Sequence, residues 1–386
     1  MSSKFVLYIA PFNFPNGGAA ARRVYGNCLS LKAAGCDVAV ASGQVGEYKT
    51  AYKGIDVYSY NERKFESLPR YLKHFFYFNA GAKAIDFLNN FEKKPHAIIL
   101  YSGYAPYLLR LKKWCSKNNV KLIFDAVEWY DPPSILAKLF SPYYLNIEFA
   151  MRYLLPKCDA LIVISSYLER YYSKYGIKTA LIPPTVDVSD IEPRLTHSSR
   201  DFLKVCYAGS VGIKKDLLGD VIKAVYQVYA LGKPIQLHIA GLSWFDLEKN
   251  GFLESIPLEK SKDFIYAHGF LSHTDSMNLV KDSDFSLVFR PNYRNVQAGF
   301  PTKFVESMAL GTPVIGNYFS DLEAYLVDSK NGILCNDYSV ESLTVSLLRC
   351  FEIQDQAALR IEARFTAENA FDTKRFAEKL NFIITD

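Results

Sequence analysis

The sequence predicts an α/β protein made of two doubly wound, Rossmann-like halves. Two observations lead there. Short apolar runs alternate with segments of helical spacing along nearly the whole chain. That rhythm breaks once, at a polar stretch over residues 187–200, and then restarts. Strand–helix–strand repetition at this pitch implies parallel sheets covered on both faces. The chain has 386 residues, 49% of them hydrophobic, which is enough apolar material for two cores.

In the first half, strands are expected over residues 5–10, 37–41, 97–101, 121–125, 160–164 and 180–182. Helices are expected over 22–34, stopped by Gly35, and over 105–118 and 147–155. In the second half, strands are expected over 204–208, 236–240, 264–267, 285–289, 313–316 and 333–335. Helices are expected over 217–231, 274–281, 302–310, 322–327 and 340–351, and the tail 357–382 reads as two more. The stretch 187–200 reads as the linker between the halves. Ligands of such sheets bind outside the carboxyl ends of the strands, so two facing sheets imply an interdomain cleft.

Composition narrows the function classes. A net charge of +5 falls short of a dedicated nucleic-acid binder and suits phosphates or an anionic membrane surface. Seven scattered Cys with no CxxC pair read as reduced, buried thiols of a cytoplasmic protein, with neither a disulfide framework nor a zinc site. No signal-peptide pattern occurs, and no apolar run is long enough to span a bilayer, so any membrane contact is expected to be peripheral.

Two nucleotide-binding classes fail on spacing. The loop after the first strand, residues 11–20, lacks the G-x-G-x-x-G of a dinucleotide fold, as does Gly209-Ser210-Val211-Gly212. No G-x-x-x-x-G-K-[ST] occurs, which removes a P-loop. No G-x-S-x-G elbow supports a Ser-His-Asp hydrolase.

Residues 300–311 carry the sharpest chemistry. Pro301 precedes a helix, whose first N–H groups, on Thr302, Lys303 and Phe304, are expected to lack intrahelical partners. Together with the helix dipole and the Lys303 ammonium they suit an anion such as a diphosphate. Glu306, one turn on, can accept two hydroxyl hydrogen bonds, as a ribose diol would offer. Gly311 then ends the helix.

That stretch resembles the signature of the family 4 retaining glycosyltransferases. Tyr207-Ala208-Gly209-Ser210 followed by Lys214-Lys215-Asp216, then Leu237-His238-Ile239-Ala240-Gly241, Ala267-His268-Gly269-Phe270 and residues 284–290 are similar to the family's other elements, in the family's order. The resemblance implies the GT-B fold, two doubly wound Rossmann-like domains facing a cleft. It implies an acceptor-binding domain over 1–188, a nucleotide-sugar-binding domain over 189–368, and a helix over 369–386 packing back on the first. The implied activity is metal-independent transfer of a sugar, with retention, from a UDP- or GDP-sugar to a glycan or lipid-linked acceptor in polysaccharide biosynthesis, at the inner face of the membrane. The family's first signature Glu falls on Ala298, and the sequence is similar to the subset carrying Pro-x-Lys-x-x-Glu.

Carried over residue by residue, Glu306, Lys303, Thr302, Gly209, Ser210, Lys214 and Arg290 are expected to hold the donor nucleotide. Ser210 stands where the family places an Arg, and Lys215 matches the family's catalytic Lys. Gly17, Gly18, Gln297, Gly299 and Phe300 are the candidates to meet the donor sugar or the acceptor. Asp125 and Glu128 lie at a strand's carboxyl end beside Trp129, an aromatic platform for a sugar; Glu128 is the preferred polar contact, with a helix cap the alternative for either carboxylate. Residues 63–78 mix basic and aromatic side chains, as an interfacial helix on anionic lipid does, or an ordinary amphipathic one. A sugar-nucleotide epimerase of the same fold and a catalytically silent nucleotide-sugar-binding partner are the alternative functions.

Overall fold

A computed structural model of the protein describes residues 3–62, 79–132, 134–196, 200–209 and 216–385, without the side chains of Ala137 and Lys138. The basic and aromatic stretch 63–78 lies outside the described residues. The chain divides into a unit of Met1–Thr185 with Thr373–Asp386, and a unit of Val186–Asp372.

The first unit is built on eight strands in the order β3-β4-β2-β1-β5-β6-β7-β8. These are β1 Phe5–Ala10, β2 Asp37–Ser42, β3 Lys49–Tyr52, β4 Ile55–Ser59, β5 Ala97–Tyr101, β6 Lys121–Ala126, β7 Ala160–Val163 and β8 Lys178–Leu181. All neighbours are parallel except β3, which pairs antiparallel with β4. β1 lies between β2 and β5 and is buried along its whole length, as its continuous apolar run requires. The β3–β4 hairpin escaped the sequence reading because β3 is an exposed edge strand with no apolar run. Its turn is made by Lys53 and Gly54, both with positive φ, the backbone twist that suits a tight hairpin. The helix expected over 147–155 begins earlier, at Pro142–Phe149, and continues as a wide turn over Ala150–Leu154.

One buried ion pair ties this unit together. Arg23, on the helix Gly18–Ala33, donates Nη2 to Asp125 Oδ1 at 2.7 Å and Nη1 to the carbonyl of Ile182 at 3.0 Å. Asp125, inside β6 and wholly buried, also accepts from Tyr8 Oη at 2.5 Å and Asn27 Nδ2 at 3.1 Å. The helix, β1 and β6 therefore meet at one carboxylate, and the end of β8 joins them through Arg23. This corrects the expectation that Asp125 faces a ligand: its oxygens serve the interior.

The second unit has six parallel strands in the order β11-β10-β9-β12-β13-β14. These are β9 Leu203–Ala208, β10 Ile235–Ala240, β11 Ile265–Ala267, β12 Phe285–Val288, β13 Val314–Asn317 and β14 Gly332–Cys335. The chain runs outward from β9 through β10 to β11, then returns to place β12 on the other side of β9. β9 is thus the switch point, and the crevice at its carboxyl end is where such sheets bind ligands.

The described part of the stretch expected as a linker is strapped onto this second unit. Arg364, on the helix Gln356–Ala370, donates to the carbonyls of Val188, Ile191 and Ala309 at 2.7, 2.9 and 2.7 Å. Arg360 from the same helix is buried and reaches the carbonyls of Arg194 and Gly311 at 3.3 and 3.4 Å. A polar sequence reads alike whether its carbonyls face water or arginines, so composition did not separate the two. That helix stays whole within the second unit, and the residues from Thr373 on belong to the first. The segment 322–327 forms only a single 3₁₀ turn, Leu322–Ala324. All seven cysteines are buried and free.

Removing one partner of a buried pair leaves an uncompensated charge, which costs about 3–5 kcal/mol. Arg23→Met is expected to lower the unfolding free energy of the first unit by that amount in urea denaturation. A loss under about 1 kcal/mol, the scale of an exposed pair, would contradict the role assigned to this contact.

Candidate active site

The carboxyl end of β9 gathers charged residues from three separate parts of the second unit. Gly209 follows β9 with φ +133°, and its N–H donates to the carbonyl of Ala240 at 3.1 Å. Arg290 follows β12. Its backbone is clamped by Asn317, which accepts from Arg290 N at 3.1 Å and donates to Arg290 O at 2.9 Å. Asp216 is buried between two cations: Arg290 Nε donates to Oδ1 at 2.8 Å, and Lys303 Nζ stands 3.5 Å from the same oxygen. The Lys303 ammonium also sits 3.8 Å from the ring centre of Tyr207, a cation–π contact. A Cβ added to Gly209 would stand in ordinary contact with Lys303, 3.9 Å from Nζ, so it is the positive φ that calls for glycine here.

The electrostatics follow from the count. Arg290, Lys303 and Asp216 together carry one more positive than negative charge, in side chains that are nearly all buried. Burial alone would raise the Asp216 pKa, but Lys303 and Arg290 outweigh it and hold the carboxyl below its usual range. Burial, and then the Asp216 charge, push the Tyr207 phenol well above its usual range, so it stays neutral. Two cations thus stand within reach of one carboxylate at this point, poorly screened by water.

Lys303 belongs to the helix Thr302–Ala309, preceded by Pro301 with no side-chain cap. The N–H of Phe304 donates to the carbonyl of Pro301 at 3.0 Å. This corrects the expectation of three available N–H groups and narrows the anion-facing end of the helix to Thr302 and Lys303. Glu306 follows Lys303 by three residues and so lies on the same face. Its side chain is mostly buried, and Oε1 lies 3.2 Å from His273 Nε2, at the start of the helix His273–Lys281. Gly311 closes the first of these helices with φ +72°. A Cβ there would meet the Arg194 carbonyl at 3.0 Å, so both backbone and space call for glycine.

Other expected site residues have different surroundings. Phe300 is buried and packs its ring against Phe304, Tyr325 and Phe371, with centroids 6.3, 5.7 and 5.8 Å away, so it is a core residue and not a sugar contact. Gln297 Oε1 accepts from the N–H of Ser320 at 3.0 Å, and the Gly299 carbonyl accepts from the Ser320 hydroxyl. Both hold a loop in place. Ala298 is fully buried. Gly17 is small because a Cβ would lie 2.5 Å from the Phe12 ring, whereas Gly18, with φ +63°, faces open space. Trp129 is buried, with its ring edge-on to Tyr171 at 4.7 Å and Nε1 donating to Glu148 at 2.9 Å, so it offers no stacking platform. Glu128 is partly buried beside Tyr130, whose pKa is raised first by burial and then by the Glu128 charge. Ser210, Lys214 and Lys215 lie outside the described residues. His268 bonds the buried ring of His238 at 3.0 Å on the outer strands; burial, then Lys204 and His268, depress His238 to about 3.

Asp216, Tyr207, Asn317 and His273 were not singled out from sequence. Asp216 had a usable signal: it directly follows Lys215 in a motif already read as phosphate-binding, and buried cations require a carboxylate. Asn317 and His273 had none, since only the sheet order brings the end of β13 beside Arg290.

Residues 17–190 match the family model of Glycosyltransferase Family 4, and residues 194–365 that of Glycosyl transferases group 1. No curated protein sequence matches the chain. Among solved structures, the fold resembles sucrose-phosphate synthase from Thermosynechococcus elongatus (TM-score 0.76, 17% identity, 98% of each chain covered). It also resembles Anabaena HepE in complex with UDP and glucose (TM-score 0.67, 14% identity, 99% of each chain). A third is the catalytic domain of Starch Synthase IV from Arabidopsis thaliana (TM-score 0.71, 13% identity, 100% of this chain and 99% of that one). The protein is a glycosyltransferase of GT-B fold. Its first half matches the Glycosyltransferase Family 4 model, and its second half, which holds the Asp216 cluster, matches the group 1 model.

Asp216→Asn leaves two buried cations without their shared carboxylate. The variant is expected to melt lower than the parent near neutral pH. Because the folded-state pKa of Asp216 is depressed, its contribution is full above the ordinary Asp value of about 4 and is lost as pH falls through the folded-state value. The stability gap should therefore close in acid. A gap independent of pH would contradict an ionised, stabilising Asp216.

Proposed function

We propose that the enzyme transfers the sugar of a UDP- or GDP-sugar, with retention, to a glycan or lipid-linked acceptor in polysaccharide assembly. The observation that supports this reading is the buried, net positive cluster of Arg290, Lys303 and Asp216 beside Gly209 at the sheet's switch point. A diphosphate there meets two cations and the amino end of a helix. Glu306, three residues beyond Lys303, is the ribose contact in this reading, with His273 orienting its carboxylate. The spacing Pro301–Lys303–Glu306 is the Pro-x-Lys-x-x-Glu form of the family signature. Solved complexes of Anabaena HepE with UDP and with UDP-glucose show that a protein of this fold takes such a donor.

In the reaction, the bond between the anomeric carbon and the phosphate oxygen breaks as the acceptor oxygen bonds to the same face. The acceptor proton passes to the departing diphosphate. Arg290 and Lys303 stabilise the negative charge that grows on that diphosphate, the task given to a metal in other transferases. The protein works on the cytoplasmic side of a membrane, in peripheral contact with anionic lipid.

Isothermal titration with UDP and GDP tests the donor site. Binding of at least one nucleoside diphosphate is expected. Lys303→Met and Glu306→Ala should each weaken it by about tenfold or more, roughly 1.4 kcal/mol, with unchanged circular dichroism. No binding of either nucleotide, or unchanged affinity in both variants, would overturn the assignment.

A further inference from the structure

Two helices of the first unit, Ala82–Asn90 and Tyr104–Asn118, line a groove with a volume of about 450 Å³, within the range of small-molecule sites. Ala82, Ile85, Asp86 and Asn89 line it from the first helix, and Arg110, Lys113, Trp114 and Lys117 from the second. Both sets follow the i, i+3, i+4, i+7 spacing of one helix face. The second helix starts just after the carboxyl end of β5 and runs back to the start of β6 at Lys121. Lys117 and Asn89 therefore lie toward the amino ends of the strands, away from the crevice where such sheets take their ligands.

The lining says what fits. Trp114 is half-buried and held across the groove, its Nε1 donating to Asn89 Oδ1 at 2.8 Å and its carbonyl accepting from Asn118 Nδ2 at 2.8 Å. A fixed indole is a flat apolar platform, of the kind on which the C–H face of a pyranose ring lies. The Asp86 carboxylate can accept sugar hydroxyls. Arg110, Lys113 and Lys117 set three cations along about 10 Å of the helix axis. Asp86 is the carboxylate of the lining; Glu62, which accepts from the N–H of Gly81 at 2.6 Å, lies in the field of Arg110. Lys117 stands in the last turn of its helix, where a cation suits the helix dipole, but Arg110 and Trp114 stand too far from the helix end for that account. A neutral sugar would leave the cations unused, and a bare phosphate would leave the indole unused. A sugar that carries a carboxylate or a sulfate uses both.

We infer that the groove between the helices Ala82–Asn90 and Tyr104–Asn118 binds an acidic glycan, with a pyranose ring against Trp114 and its anionic group on Arg110, Lys113 or Lys117. The inference rests on the glycan part of the proposed function and gives that glycan a chemical class. It does not depend on the donor assignment. A site away from the crevice can hold a long chain without covering its reacting end, and a second point of attachment raises the effective concentration of that end at the first.

The test is isothermal titration of the full chain with hexagalacturonate, a heparin hexasaccharide and maltohexaose. At least one of the acidic hexasaccharides is expected to bind about tenfold or more tightly than the neutral one, and to weaken as salt is raised from about 0.05 to 0.3 M. Trp114→Ala and Lys113→Gln/Lys117→Gln should each lower that affinity by about tenfold or more, with circular dichroism and nucleotide binding as in the parent. The lysine variant changes two exposed side chains, so it keeps the test open should Trp114→Ala fail to fold. Binding of neither acidic hexasaccharide, equal binding of maltohexaose, or parent-like affinity in the folded variants would overturn the inference. So would a loss in the lysine variant that a folded Trp114→Ala does not share, since the attraction would then be one of charge alone. Acidic-glycan binding lost in both variants, in a protein that binds neither UDP nor GDP, would support this site and count against the donor assignment.

Discussion

Two cations sharing one buried carboxylate, Arg290 and Lys303 on Asp216, are the contact around which the second unit's site is organised. Each member comes from a different element: the segment after β9, the end of β12, and the helix that starts at Thr302. They can meet only because the sheet order places β12 beside β9 after the excursion through β10 and β11. The carboxylate makes it tolerable to bury two positive charges, and it does so incompletely. Among these three side chains the cations outnumber the carboxylate by one. Asn317 fixes the Arg290 backbone from both sides, which spares the guanidinium much of the ordering cost on binding.

The first unit contains a buried pair of the same chemical types with a different outcome. Arg23 and Asp125 balance one charge with one charge, and Asp125 takes further hydrogen bonds from Tyr8 and Asn27. Nothing in that balance calls for an added ion, so the pair serves the fold, joining a helix to two strands. Residue type and strand position alone do not distinguish the two clusters, which differ in the number of cations that share the carboxylate.

The doubly wound plan was legible in the sequence because buried parallel strands are continuous apolar runs, as at residues 5–10 and 314–317. Its misses share a cause. The edge strand Lys49–Tyr52 is exposed, so it shows no run, and the strap over residues 187–194 is polar because arginines receive its carbonyls. That Lys303 and Glu306 share a helix face could be read because helix geometry links residues three apart. Asp125 and Trp129 were misread as ligand-facing because a strand end gives position without burial. Phe300 sits inside the signature yet packs into the core, since adjacent residues on a loop leading to a helix point in different directions. Asn317 and His273 depend on contacts across the sheet and between helices, which no local pattern encodes.

The central claim is that the surplus charge of the Asp216 cluster receives a diphosphate. A crystal structure of the protein grown with UDP tests it most directly. The account predicts phosphate oxygens within about 3 Å of Lys303 Nζ or of the Arg290 guanidinium, at the amino end of the Thr302–Ala309 helix, with the ribose hydroxyls on Glu306. UDP bound with its diphosphate away from Arg290 and Lys303 would contradict it.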